Sequence, residues 1–428
     1  MNVHLSTIGC RLNEAELSSW RRGLQKTGHR VVDSPNQANV VVLNTCGVTQ
    51  QAMQSSRKLV RRMHRDNPQA KIVVTGCFSE LDPTDVHTLP GVDLVISNAT
   101  KDNLPNVITS RYGVCTKPHT HTLATAKKRR TRAFVKIQDG CSNKCTFCIV
   151  TTARGDERSR PIPEIVSEIQ SLSESGIQEV VLTGVHIGGY GSDINEKLHV
   201  LIQTIIQNTE VPRIRVGSLE PWELTENLIR VMANEPRLCP HLHLPLQSGC
   251  NAILRRMARR YTSQTYARLV QSLRSAVPSI EISTDLLVGF PGESHDDFEQ
   301  SVRFVEQMGF IHVHTFPFSA REGTAAAQMS DPVSFPERKR RAKIARDLTV
   351  RIRSHKLQQR CGEVRPVLWE SPTTGPNPNI QSWSGLTDNY IRVETNLPTD
   401  QNIHNQIIST RLSQRTDSNN LIGTLVES

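Results

Sequence analysis

Three cysteines stand within eight residues of this chain, Cys141, Cys145 and Cys148, spaced C-x3-C-x2-C. Thiolates bind soft metals, and so short a loop can gather three of them on one side of an iron–sulfur cube. Four-iron clusters usually take four cysteine ligands, so three local ones leave one iron open to a substrate. On spacing alone, zinc or a structural cluster closed by a distant cysteine is the other reading. Phe147, Ile149 and Val150 flank the third cysteine and supply an apolar cover.

Three more cysteines, Cys10, Cys46 and Cys77, are distant in sequence but alike in setting. Apolar runs at 3–8, 40–44 and 71–75 read as strands, and each cysteine falls just past the end of one. A helix is expected over 13–26, with Asn13 as N-cap and Glu16 at the capping-box position, and a basic one over 50–65. A fourth strand is expected at 92–96. Ligands bind at the carboxyl edge of an open parallel sheet, where these three cysteines would converge. Three buried core cysteines are the plainer alternative. Equivalent placement on three successive strands favours a second metal site.

From 132 onward the strand–helix alternation returns, with six candidate strands at 133–137, 178–183, 213–217, 241–245, 281–288 and 311–316. Six βα units in a row suggest a parallel, partly closed barrel. Barrel sites are built at strand ends. Here those ends carry Thr183-Gly-Val-His-Ile-Gly-Gly189, Ser218-Leu-Glu220, Gln247-Ser-Gly249 and Gly289-Phe-Pro-Gly-Glu293. None has the G-K-[ST] of a P-loop, which argues against nucleotide triphosphate binding. His241 with His243, and His312 with His314, each share a strand face and read as packed or barrel-lining residues. Cys115, Cys239, Cys250 and Cys361 have no partner at ligand spacing and read as free thiols.

The C-x3-C-x-aromatic-C loop after a strand resembles the radical S-adenosylmethionine (SAM) enzymes. Gly9-Cys10-Arg-Leu-Asn13, Asn44-Thr-Cys46, Thr75-Gly-Cys77 and Arg154-Gly-Asp-Glu-Arg158-Ser-Arg-Pro161 resemble their methylthiotransferase branch. The likeness runs over nearly the whole chain. It implies an α/β architecture of three parts. These are an N-terminal doubly wound parallel-sheet domain (1–110), a partial (βα)6 radical SAM barrel (132–335) and a small TRAM-like β-barrel (361–428). A linker (111–131) and a basic connecting helix (336–360) join them. The cofactors implied are SAM and two 4Fe-4S clusters, one on Cys141, Cys145 and Cys148 and one on Cys10, Cys46 and Cys77. Gly184, Ser218, Gln247 and Arg154 are the candidate SAM contacts. The implied chemistry is reductive cleavage of SAM to a 5′-deoxyadenosyl radical, with the second cluster carrying the sulfur that is transferred.

Within that family, Leu182-Thr-Gly-Val-His-Ile187 and His243-Leu-Pro-Leu-Gln-Ser-Gly249 look most like the enzymes that methylthiolate C2 of N6-threonylcarbamoyladenosine next to the tRNA anticodon. Methylthiolation of isopentenyladenosine in tRNA, or of an aspartate of a ribosomal protein, are the related alternatives. A non-catalytic iron–sulfur electron carrier that binds RNA is the alternative of a different class. The partners implied are a tRNA anticodon stem-loop, an electron donor protein and a sulfur source.

Composition agrees with a soluble chain of two or three domains. Its 428 residues exceed one ordinary core, and its net charge of +10 suits a polyanion. No apolar run reaches membrane-helix length, and the first residues lack a secretory pattern, so a cytoplasmic protein without a membrane partner is expected. Ten cysteines then argue for metal ligation over disulfides. Basic residues concentrate at 57–65, 255–260 and 337–360, which suits RNA contact. The last segment departs from that pattern. From Cys361 on it holds four basic residues against seven acidic ones, leaving Trp369, Trp383 and Tyr390 as candidates for base stacking.

Overall fold

The structure, a computed structural model, describes residues 1–113, 130–375, 377–416 and 419–426. Most of the linker expected at 111–131, with Cys115, lies outside the described residues.

The N-terminal part is a five-stranded parallel sheet. Its strands are β1 (Asn2–Thr7), β2 (Arg30–Val32), β3 (Val40–Thr45), β4 (Lys71–Gly76) and β5 (Val92–Val95), in the order β2-β1-β3-β4-β5. Every residue of β3 is buried, as a central strand covered on both faces requires. Val41 and Leu43 face a cluster with Val60 and Met63, while Val40 and Val42 face Trp20 and Leu24 on the opposite side. The short edge strand β2 was not expected from sequence; three residues are too few for a period.

Helix α1 (Arg11–Lys26) begins earlier than expected. Cys10, not Asn13, holds the N-cap position, and its side chain makes no capping hydrogen bond. Asn13 and Glu16 are instead almost wholly buried. The following helix, α2 (Gln50–Asp66), is capped by Thr49, whose side chain accepts from the Ala52 amide at 3.1 Å.

The central part has six parallel strands in two runs of three. The first run is β6 (Arg132–Lys136), β7 (Glu179–Thr183) and β8 (Arg213–Val216). The second is β9 (His241–His243), β10 (Glu281–Val288) and β11 (His312–Pro317). Parallel bridges Ile214–Leu238 and Ser218–His243 join β8 to β9. No ladder among the described residues joins β6 to β11, so the barrel is open on that side. Leu242, Ile282 and Val313 pack outward beneath the surrounding helices.

A long helix, α3 (Phe335–Gln359), leads to the C-terminal barrel. There β12 (Val364–Trp369), β13 (Ile380–Thr387), β14 (Arg392–Pro398), β15 (Ile407–Arg415) and β16 (Leu421–Leu425) pair in a ring closed by β12 with β13. Trp369 and Trp383 fill its core, and Tyr390 stacks on His241 of the central barrel at 4.4 Å. Two of the three aromatics expected to stack RNA bases therefore face inward, and the third is engaged against the central barrel. A five-stranded barrel has few other large side chains to fill its centre.

The end of β13 and the loop after it pack against β8 of the central barrel. Arg213 donates to the Leu386 carbonyl (3.0 Å) and Arg215 to the Asp388 carbonyl (2.9 Å). Fully buried Glu179 takes both Nε and Nη2 of Arg215, at 2.9 and 3.0 Å. Arg365 pairs with Asp388, and Arg392 with Glu370. Much of this module's small basic complement is spent within the protein.

Candidate metal centres

Both cysteine trios lie along the contact between the N-terminal sheet and the central barrel. Cys10, Cys46 and Cys77 follow β1, β3 and β4, neighbours in the sheet, so their carboxyl ends share one edge. The backbone there leaves no room for side chains. Gly9, at φ +123°, would place a Cβ 2.8 Å from Cys46 Cβ, and Gly76, at φ +102°, one 2.3 Å from the Thr45 carbonyl. Cys77 is buried, Cys46 half-buried and Cys10 exposed, which leaves one side of the trio open.

The second trio hangs on the loop after β6. The Cys148 amide donates to the Cys145 carbonyl at 3.1 Å, curling the loop on itself. Thr146 ties it to the carbonyls of Met257 and Arg256, at 3.2 and 2.9 Å. Phe147 packs into the apolar cluster of Met257, Phe290 and Phe318, and Ile149 is buried, so the expected apolar cover is present.

The thiols in each trio feel one another. Burial pushes Cys46 up first, and Cys77 and Cys10 push it further. Cys148 is pushed up to about 11, mainly by burial and then by Cys145 and Cys141. Three crowded thiolates need a cation to hold them together, and soft sulfur donors fit an iron–sulfur cluster.

Two arginines meet these sulfurs. Arg154, expected to contact SAM, instead turns to the N-terminal trio, with Nε 3.3 Å from Cys77 Sγ. Its other donors are spent on Asn13 Oδ1 (2.8 Å), Glu16 Oε1 (3.0 Å) and Asp139 Oδ1 (3.0 Å). Lys101 joins the same network at 2.6 Å from Glu16 Oε1 and 3.5 Å from Asp139 Oδ2. Arg259 stands at the loop trio, with Nη1 3.3 Å from Cys145 Sγ. It pairs with Glu220 and lies over the Trp222 and Tyr261 rings at 4.8 and 5.3 Å. Its sequence setting showed only a basic run; the sole hint was an aromatic neighbour, Tyr261.

Gly184, Ser218 and Gln247 follow β7, β8 and β9, on the carboxyl side of the barrel. Gly184 lies against Gln138, where a Cβ would fall 2.9 Å from the carbonyl oxygen. Ser218 is exposed, and Gln247 has φ 62° with its amide on the Asp285 carbonyl at 2.9 Å. The paired histidines form no three-ligand cluster among the described residues: His241 and His243 both meet Ser283 Oγ at 3.1 Å.

One group was missed altogether. Cys141, Glu157 and His186 bring their ligand atoms within 4.8 Å of one another. His186 Nδ1 meets Glu157 Oε1 at 2.7 Å, and its Nε2 meets Glu223. Burial lowers its pKa, but the two carboxylates outweigh burial and raise it above the ordinary value. A raised folded value means this stabilisation is complete below about pH 6.5 and fades as pH rises through the folded value. His186→Gln should therefore lose stability relative to the parent at pH 6 more than at pH 9. Denaturant unfolding at the two pH values checks this.

Two parts of the chain match known families. Residues 2–97 match the family model described as uncharacterized protein family UPF0004, and residues 135–305 match the radical SAM superfamily. Threonylcarbamoyladenosine tRNA methylthiotransferase MtaB of Bacillus subtilis is 34% identical over 407 residues, covering 91% of this chain and 89% of its own. The chain belongs to the radical SAM methylthiotransferases. Another methylthiotransferase, tRNA-2-methylthio-N(6)-dimethylallyladenosine synthase of Thermodesulfovibrio yellowstonii, is 34% identical, covering 86% of this chain and 88% of its own. Among solved structures, the radical SAM methyltransferase TsrM of Kitasatospora setae, with cobalamin and a [4Fe-4S] cluster bound, superposes with a TM-score of 0.57. That match has 14% identity and covers 89% of this chain and 80% of the other. At that identity the match speaks for the fold of this methylthiotransferase alone.

Among the described residues, no helix is long and apolar enough to cross a membrane. The basic segments of this methylthiotransferase are less free than their sequence implies. In and just past α3, Arg341 pairs with Glu293, Lys356 and Arg360 with Glu281, and Arg338 and Arg353 donate to carbonyls. Lys339, Lys343, Arg346 and Arg351 stay exposed, as do Lys58, Arg61, Arg62 and Arg65 on α2.

Proposed function

We propose that this chain methylthiolates C2 of N6-threonylcarbamoyladenosine beside the tRNA anticodon, using SAM and two four-iron clusters. The observation that carries the reading is the convergence of two cysteine trios on one domain contact, in a chain alike to MtaB over 91% of its length. Cys141, Cys145 and Cys148 would hold the cluster that meets SAM, and Cys10, Cys46 and Cys77 the one that carries sulfur. When bound, these groups supply one-electron cleavage of SAM to a 5′-deoxyadenosyl radical and a sulfur for transfer.

The chain's own residues prepare the site for that chemistry. Phe147 and Ile149 keep water from one side of the loop trio. Arg259 places a fixed positive charge beside Cys145. Gly184, Ser218 and Gln247 are proposed to border SAM. The open side of the barrel admits a large substrate. C2–H of a purine has no acidic proton, so a general base among these side chains could not open it, and radical chemistry is required. The exposed cations of α2 and α3 would contact the tRNA backbone, with salt-dependent affinity. The reading also calls for an electron donor protein and a sulfur source, and places the enzyme with its tRNA in the cytoplasm.

Mass spectrometry of tRNA nucleosides from a strain lacking the protein tests the substrate. The expected result is loss of the methylthio group from threonylcarbamoyladenosine alone. Loss from dimethylallyladenosine, or from a ribosomal-protein aspartate with normal nucleosides, would reassign the substrate.

A further inference from the structure

Arg154 and Gly155 together touch both trios. The Gly155 carbonyl accepts the Cys141 amide at 3.0 Å, while Arg154 Nε lies 3.3 Å from Cys77 Sγ. The Arg154 side chain is 2% exposed, and its fork is fixed by Asn13, Glu16 and Asp139. It has no freedom to swing toward a substrate. Charge balance accounts for the Nη contacts, since Arg154 and Lys101 together face the two carboxylates of Glu16 and Asp139, but it does not account for Nε, which points to Cys77. What Arg154 adds is an N–H aimed at a sulfur. A charge-assisted donor withdraws electron density from a metal-bound thiolate and raises the reduction potential of the group it holds.

We propose that Arg154 is a positioning residue that sets the reduction potential of the cluster at Cys10, Cys46 and Cys77 through its hydrogen bond to Cys77. This rests on the reading that the N-terminal trio holds a cluster. Because Arg154 rides on the segment directly behind Cys148, the barrel loop fixes the electronic state of a centre in the other domain. Arg259 stands in the same relation to Cys145 and serves as the internal comparison.

The test uses the full chain with Cys141, Cys145 and Cys148 all changed to Ala, so that the signal comes from the N-terminal trio. Protein reconstituted without oxygen should hold about four irons with or without Arg154→Gln. In a redox titration followed by electron paramagnetic resonance, Arg154→Gln should move the midpoint to more negative potential. The expected shift is at least tenfold in the oxidised-to-reduced ratio at fixed potential, about 59 mV for one electron. Arg259→Gln in the same background should leave the midpoint in place. Arg154→Gln leaves Lys101 alone against Glu16 and Asp139, so it is expected to lose stability. If it loses fold or iron, Arg154→Lys, which keeps the charge but lacks the forked Nε–H, takes its place with the same expected direction. An unchanged midpoint in either folded variant, or loss of iron from both, overturns the proposal. Absence of iron from the parent background would instead contradict the cluster reading itself.

Discussion

Replacing Cys145 with Ala should abolish SAM cleavage. In reconstituted, reduced protein, 5′-deoxyadenosine should fall to the level of the protein-free control. The reason is geometric: the loop offers three sulfurs, curled together by the Cys148–Cys145 backbone hydrogen bond at 3.1 Å. Two sulfurs leave a second iron unprotected, and the cluster is lost. Iron should drop from about eight to about four per chain, because the N-terminal trio is untouched. Cys250→Ala is the matched control. That thiol is buried and donates to Asp297 Oδ1 at 2.9 Å; it sits in the apolar cluster beside Phe147 but belongs to neither trio, so iron and cleavage should persist. Cleavage at the parental rate by Cys145→Ala would remove the loop from the chemistry.

The largest effect on stability is expected at Lys101. Its side chain is wholly buried and bonded to Glu16, Asp139 and Asn98, the last at 2.9 Å. Burial alone would raise the carboxyl groups of Glu16 and Asp139, but Arg154 and Lys101 outweigh it and hold both below the usual range. Lys101→Met keeps the volume and removes the charge, leaving two buried carboxylates to one arginine. Removing one partner from a buried ionic network costs about 3–5 kcal/mol. Lys343→Met on α3 is the comparison. It breaks an exposed pair with Asp347 at 2.7 Å, and such pairs contribute less than about 1 kcal/mol. Urea unfolding of the three proteins separates these values. Equal midpoints for Lys101→Met and the parent would show that the network does not hold the two domains together.

The contrast between these sites shows what can be read from the chain. The cysteines could be placed because local apolar runs define the strands, and a strand end in a parallel sheet faces one edge. The order of the six barrel strands followed from the same alternation. Lys101, Arg154 and Arg259 could not be placed, because an arginine or lysine is buried only by partners far away in sequence. Glu16 and Arg154 are 138 residues apart, and Arg259 lies 114 residues from Cys145. The same cause explains α3. Its basic residues look like a solvated face, yet Arg341 and Lys356 are turned toward acids on the barrel. Asn13 and Glu16 carried a capping signature, but the cysteine before them took the cap and freed both for the interdomain network. Trp369 and Trp383 were legible as aromatic and not as inward-facing, since buried residues run together at the ends of β12 and β13 instead of alternating.

Mass spectrometry of tRNA nucleosides, extended to complemented strains, tests the central claim most directly. Methylthio-threonylcarbamoyladenosine should vanish when the protein is deleted. It should return with the parental chain, and stay absent with Cys145→Ala or with Cys77→Ala. Persistence of that nucleoside in the deletion strain, or its return with either cysteine variant, would contradict a two-cluster methylthiotransferase acting on this base.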